Sequence, residues 1–156
     1  MRKKKLDGLE ASLQDLLNIY IGQELKNVSP YYGTVMLHIG TEYLLLAHDQ
    51  ECCESVDFIN SNIVIAVSKD NNCTLEPQII KKISVTCTGL YDCKEITTIN
   101  IELNSAKDKW DYIILQLQWL GESNGYYSTG IDLFELDEID ILSRPKEKEQ
   151  LWPNLH

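Results

Sequence analysis

"WDYIILQLQWLGESNGYYSTGIDLFEL", residues 110–136, is the stretch on which the fold turns. Apolar and polar residues alternate through Leu115-Gln116-Leu117-Gln118-Trp119 and again through Ile131-Asp132-Leu133. A period of two belongs to a half-buried strand. Asn124-Gly125 punctuates the stretch as a turn. A two-residue turn there pairs Trp119 with Gly130 and Leu117 with Asp132, which mixes the faces. A three-residue loop, Ser123-Asn124-Gly125, pairs Trp119 with Thr129, Leu117 with Ile131 and Leu115 with Leu133. It keeps the apolar set together and lets Gly125 take the left-handed conformation. The expectation is therefore a hairpin with a three-residue loop, in which Glu122 sits opposite Tyr126.

Upstream segments read in the same terms. "TVMLHI" and "EYLLLAH" flank Gly40-Thr41, and glycine at the first central position suits a type II′ hairpin turn. That register pairs Leu37 with Leu44 and Val35 with Leu46. A turn at Asn60-Ser61-Asn62 followed by a short buried strand from Ile63 to Val67 is expected next. "SKDNNCTLEPQ" reads as a loop. "IIKKISVTCTG" and "TTINIEL" read as strands joined by "YDCKE", and "NSAKDK" as a polar turn. Ahead of them, Leu9, Leu13, Leu16, Leu17 and Tyr20 fall on one face of a helix. Asp7 and Glu10 have capping-box spacing, and Gly22 or Lys26 marks the end. The sum is an α+β fold: one N-terminal amphipathic helix packed on a mainly antiparallel sheet of about six strands. The 156 residues suit a single domain: a helical segment 1–26, a sheet core 27–142 and a charged, proline-broken extension 143–156.

Charge narrows the function classes. Fourteen Lys and Arg stand against 24 Asp and Glu, a net charge of -10. Direct nucleic-acid binding needs a basic surface to displace counterions, and anionic lipid repels an acidic chain. A partner with a basic surface is favoured instead. No apolar run is long enough to cross a bilayer. The basic start Arg2-Lys3-Lys4-Lys5 leads into no signal-peptide core. Five cysteines, an odd number, then read as mostly reduced thiols of a cytoplasmic protein.

Two stretches carry chemistry-bearing residues. "HDQECCES", residues 48–55, offers His48, Asp49, Glu51, Cys52, Cys53 and Glu54. As a metal site, with zinc the natural ion, it would use His48, Cys52 and Cys53. Adjacent cysteines in an extended strand point to opposite faces, however, and reach one ion only if the chain turns there. As a disulfide, neighbouring cysteines meet at a poor angle. As a nucleophile, either thiolate is opposed by Glu51 and Glu54. The plain alternative is a strand end with one cysteine packed inward. "GESNGYYS", residues 121–128, adds Glu122, Asn124, Tyr126 and Tyr127. A carboxylate, an amide and two phenols can bind a small polar ligand or a partner loop, or simply fix the turn.

Together, "HDQECCESV" (48–56) and "GESNGYYS" (121–128) resemble the two signatures of a small domain of unknown function found in phage and bacterial genomes. The resemblance spans roughly Ile21 to Leu136, while Ser68 to Leu103 and the N-terminal helix depart from it. It implies a phage or mobile-element setting and carries no activity onto any residue. It also implies that the two blocks meet at one end of the sheet. His48, Cys52, Cys53, Glu54, Glu122, Asn124 and Tyr126 would then form one polar cluster.

Three functions follow as expectations. The first is a small acidic non-enzymatic interaction protein, an inhibitor of a host defence system acting in the host cytoplasm on a host protein with a basic surface. The second is a binding protein for a small polar ligand such as a signalling nucleotide. Against it, residues 27–143 hold only Lys69, Lys81, Lys82, Lys94, Lys107 and Lys109 and no arginine. The third is a metal-dependent or cysteine enzyme built on His48, Cys52, Cys53 and Glu122. Ligand or partner contacts are expected at His48, Glu51, Cys52, Cys53, Glu54, Glu122, Asn124, Tyr126 and Tyr127.

Overall fold

The computed structural model describes residues 3–4, 12–50, 52–66, 78–104 and 112–142. In chain order the elements are β1 (Lys3–Lys4), α1 (Leu13–Asn18), β2 (Leu25–Tyr31), β3 (Thr34–Ile39) and β4 (Glu42–His48). They continue as β5 (Ser55–Ala66), β6 (Ile79–Gly89), β7 (Lys94–Asn104), β8 (Tyr112–Glu122), β9 (Ile131–Leu136) and α2 (Glu138–Leu142). The class is α+β and every named strand pair is antiparallel. The single six-strand sheet is not found. Two sheets form instead, ordered β1-β9-β4-β3-β2 and β5-β8-β7-β6.

The reason is the size of the apolar face. Strands β6 to β8 are each 11 residues long. Their inward positions Ile83, Ile99, Ile101, Leu103, Ile113, Leu115, Leu117 and Trp119 are all buried. Each such side chain stabilises the fold by roughly 1.5–3 kcal/mol on burial. A six-residue helix is only about 9 Å long and cannot cover that face. A second sheet can, and Val35, Leu37, Leu44, Leu46 and Leu133 supply the facing half of one core cluster. Leu16, Leu17 and Tyr20, in and just after α1, join the same cluster. The other face of the five-stranded sheet is apolar too: Met36, Leu45 and Phe134 are buried there, with Ile141 of α2 packed against them.

The terminal hairpin is the main correction. Trp119 does not pair with Thr129. It pairs with Phe58 on β5 and Thr97 on β7, while β9 pairs with β4 and β1. Residues 123–130 leave one sheet and enter the other. Glu122 faces Ser55 and Lys94 in the ladder rather than Tyr126. Gly125 does adopt positive φ, at +90°. The turn expected at Asn60-Ser61-Asn62 is also replaced, by one continuous strand with a bulge between Phe58 and Asn60. Asn60 and Asn62 are outer-face positions, opposite Gln118 and Gln116, and the Asn60 amide donates to Gln118 Oε1 at 3.2 Å.

The β3–β4 hairpin has the expected register, Leu37 with Leu44 and Val35 with Leu46. Strands β6 and β7 flank the expected link, though Lys94 and Glu95 already belong to β7. The helix begins at Leu13, with Ser12 Oγ accepting from the Asp15 amide at 3.1 Å. The Asp7–Glu10 box lies outside the described residues, as do most of "SKDNNCTLEPQ" and "NSAKDK" and the extension 143–156. Strands β1 and β2 and helix α2 were not expected. Among the described residues no helix is long and apolar enough to cross a membrane.

Candidate functional site

The ladders sort the connections between strands into two ends. Ser55, Glu122 and Lys94 form one row across three strands, and His48 lies opposite Ile131 at the matching end of the other sheet. Four connections therefore gather at one end: the turn Tyr32-Gly33, the crossing 49–54, the turn Leu90 to Cys93, and the crossing 123–130. The two sequence blocks are the two places where the chain passes between sheets, β4 to β5 and β8 to β9. They meet because β4 pairs with β9 and β5 with β8.

The crossings are latched to each other by His48. Its Nδ1 lies 2.8 Å from the Gly130 carbonyl, which can only accept, so Nδ1 carries a proton. Its Nε2 lies 3.0 Å from Glu54 Oε1. Glu54 is 2% exposed, and its Oε2 accepts the Cys52 amide at 3.1 Å. The chain bends at Cys52 and Cys53 rather than extending. That bend brings the two cysteine side chains next to each other. Both cysteines are exposed.

Both His48 ring nitrogens are engaged within the protein. Among the described residues no group of three or more His, Cys, Asp or Glu is gathered to hold an ion. Glu51 lies outside the described residues.

The residues expected in one polar cluster hold different positions in the fold. His48, Glu54 and the Cys52 backbone form a buried latch. Asn124, Tyr126 and Tyr127 lie on the outer crossing, where Asn124 Oδ1 accepts the Tyr126 amide at 3.1 Å as an Asx turn. Glu122 is exposed at the end of β8.

Sequence reasoning named Tyr126 and Tyr127 on this surface but missed Tyr32, Leu90 and Tyr91. Tyr91 is 92% exposed, Tyr126 88%, Tyr32 65% and Tyr127 37%, and Leu90 stands out beside Tyr91. The only non-glycine residues at positive φ among the described ones are Tyr32, Asp92 and Cys93, all on these loops. Each such backbone costs about 1–2 kcal/mol. The Ser123 amide donates to the Cys93 carbonyl at 3.1 Å, fastening the turn to the second crossing. The signal was available in "YDC": once β6 and β7 are a hairpin, its turn must fall beside Glu122. Asp49, Asp92 and Glu122 outnumber Lys94 on this end.

Two cavities lie elsewhere. One, of about 430 Å³, is lined by Thr41, Glu42, Tyr43, Glu135, Leu136, Glu138 and Ile141 at the opposite end. The other, of about 340 Å³, lies on the outer face of the four-stranded sheet between Lys82, Ser84, Asn100, Glu102, Ile114 and Gln116.

In comparisons with known proteins, no family model, no curated protein and no solved structure matches the chain.

Proposed function

We propose that the chain is a non-enzymatic interaction protein whose partner docks on the four-loop end of the sandwich. One observation carries the reading: Tyr32, Tyr91, Tyr126 and Tyr127 stand exposed together on loops at one end. Tyrosine supplies large amphipathic contact area at low entropic cost, which is how loop-built binding surfaces work. The latch beneath holds the two crossings in place before any partner arrives, so less ordering is left for binding. The acidic excess of this end favours a partner with a basic surface. The resemblance of the two crossings to phage and bacterial sequences favours a host protein, within a defence system, as that partner.

The test is capture from host lysate on immobilised protein. Tyr91→Ser with Tyr126→Ser should cut retention at least about tenfold, as loss of central aromatic anchors does, while the far-ultraviolet circular dichroism stays unchanged. Raising salt should weaken capture by the wild type, and less so after Asp92→Asn with Glu122→Gln. Retention indifferent to the tyrosine changes would refute the assignment of the surface.

A small polar ligand is the second reading. It rests on the 340 Å³ cavity, where the Asn100 and Gln116 amides and the Ser84 hydroxyl line the wall with Lys82. Glu102 on the same wall disfavours a phosphate there.

A further inference from the structure

Cysteine is among the residue types most often fully buried, yet Cys52 and Cys53 are both exposed. They stand on the bend of the first crossing, where their side chains lie next to each other. Cys87 and Cys93, the other cysteines among the described residues, are exposed single thiols. A thiol held beside a second thiol differs chemically from a lone one. A step that would need two molecules to meet becomes intramolecular.

The bend is fastened by groups other than sulfur. Glu54 Oε2 accepts the Cys52 amide at 3.1 Å, and the Gln50 side-chain amide donates to the Cys52 carbonyl at 3.0 Å. Both polar groups of the Cys52 backbone are thus held, and Glu54 is held in turn by His48. The two thiols are therefore kept together by the backbone before any bond forms between them. Preorganisation of this kind lowers the entropy lost on closing a ring. The same hydrogen bonds join that ring to the latch, so closing it removes freedom from the whole crossing.

We infer that Cys52 and Cys53 form a reversible dithiol–disulfide site, oxidised by low-molecular-weight disulfides of the glutathione class, and that closing it stiffens the latched crossing. One cysteine thiolate attacks a sulfur of the small disulfide. The S–S bond there breaks, a mixed disulfide forms and one small thiolate leaves. The thiolate of the neighbouring cysteine then attacks the protein-side sulfur of the mixed disulfide. The bond between Cys52 and Cys53 forms, and the second small thiolate leaves. The protein gives up two electrons, and its two thiol protons end on the two small thiols released. Excess small thiol runs both steps backwards. This chemistry is independent of what docks on the exposed tyrosines.

The test equilibrates the full chain with mixtures of reduced and oxidised glutathione, quenches with acid, alkylates and maps the cysteines by mass spectrometry. As the buffer becomes oxidising, the peptide carrying residues 52 and 53 should pass from doubly alkylated to unalkylated and two hydrogen atoms lighter, with no glutathione attached. Excess reduced glutathione should restore both thiols. Cys87 and Cys93 should carry the alkyl group or glutathione and no internal link. Cys52→Ser and Cys53→Ser should each stall as a mixed disulfide on the remaining cysteine, with unchanged circular dichroism. Amide exchange across residues 52–54 should be severalfold slower in the oxidised wild type than in the reduced, and the serine variants should show no such difference. A pair still doubly alkylated in the most oxidising buffer overturns the inference. So does wild-type protein that accumulates glutathione on Cys52 or Cys53, joins either to another cysteine, or stays bonded in excess thiol. Equal exchange in the two forms overturns the stiffening of the crossing.

Discussion

Gly121 shows how close the two sheets come at the loop end. A Cβ placed there would lie 2.4 Å from Thr129 Cβ and 2.7 Å from its Oγ1, and Thr129 is buried with its hydroxyl 3.2 Å from Glu95 Oε1. Gly121 is the last inward position of β8, opposite Val56 and Glu95. The returning crossing therefore lies directly on it. Gly121→Ala should destabilise the protein by about 1–3 kcal/mol, the usual cost of overpacking. Adding Thr129→Gly should recover a measurable part, so that the double variant unfolds in urea at higher concentration than the two single losses summed would allow. The same contact marks a limit of sequence reading. That Gly125 needs positive φ was legible, because a local turn dictates it. That Gly121 needs the absence of a side chain was not, because the demand comes from a residue eight places on, across the sandwich. The approach of the Cys52 and Cys53 side chains was hidden for a related reason: it depends on a bend that only the change of sheet imposes.

At the scale of elements, local pairing was readable and distant pairing was not. The β3–β4 register follows from a two-residue turn and the alternation around it, and it holds residue for residue. The β8 and β9 patterns fit a hairpin equally well, since strands that alternate faces do so whether they pair with each other or with strands far along the chain. What separates the cases is how much apolar face must be covered, a sum over all strands. The short helix α1 illustrates what remains for it once a second sheet covers the core. Its Gln14 side chain stands in for a strand, satisfying one carbonyl and one amide of β6 and also donating to Asn18 Oδ1 at 2.8 Å. Gln14→Ala should cost about 1–3 kcal/mol, because it leaves Ile83 O and Val85 N–H without that partner. It should also raise light scattering on mild heating, since β6 then presents an open edge. Equal stability and scattering in wild type and variant would show that the helix covers this edge without Gln14.

On the scale of the whole molecule, two sheets share a core and are joined at the loop end by two crossings, with polar links that fix their alignment there. Trp119 Nε1 of one sheet donates to Thr34 Oγ1 of the other at 3.1 Å, and Thr34 Oγ1 donates in turn to Leu46 O. His48 supplies the second tie, reaching Gly130 on one crossing and Glu54 on the other. The convergence of these crossings was legible from the two blocks together, but the role of the latch was not, because the sequence presents His48 and Glu54 among cysteines that suggest chemistry. Their burial argues for alignment instead. The His48 side chain is 9% exposed and that of Glu54 0%, so removing either one takes a hydrogen bond from a buried polar group. His48→Leu takes the imidazole away from the buried Glu54 carboxylate, and should cost about 3 kcal/mol. If the latch acts through charge pairing, the double variant His48→Leu with Glu54→Leu should be more stable than His48→Leu alone, since the buried carboxylate goes with the imidazole. Urea unfolding of the four members of that cycle measures the coupling directly. Amide exchange at Cys52 and across residues 123–130 should rise in both variants, because each loses the tie that holds the crossings even where overall stability returns. A double variant less stable than the single would mean that the pair's value lies in packing and in the Gly130 and Cys52 hydrogen bonds rather than in the pairing of His48 with Glu54.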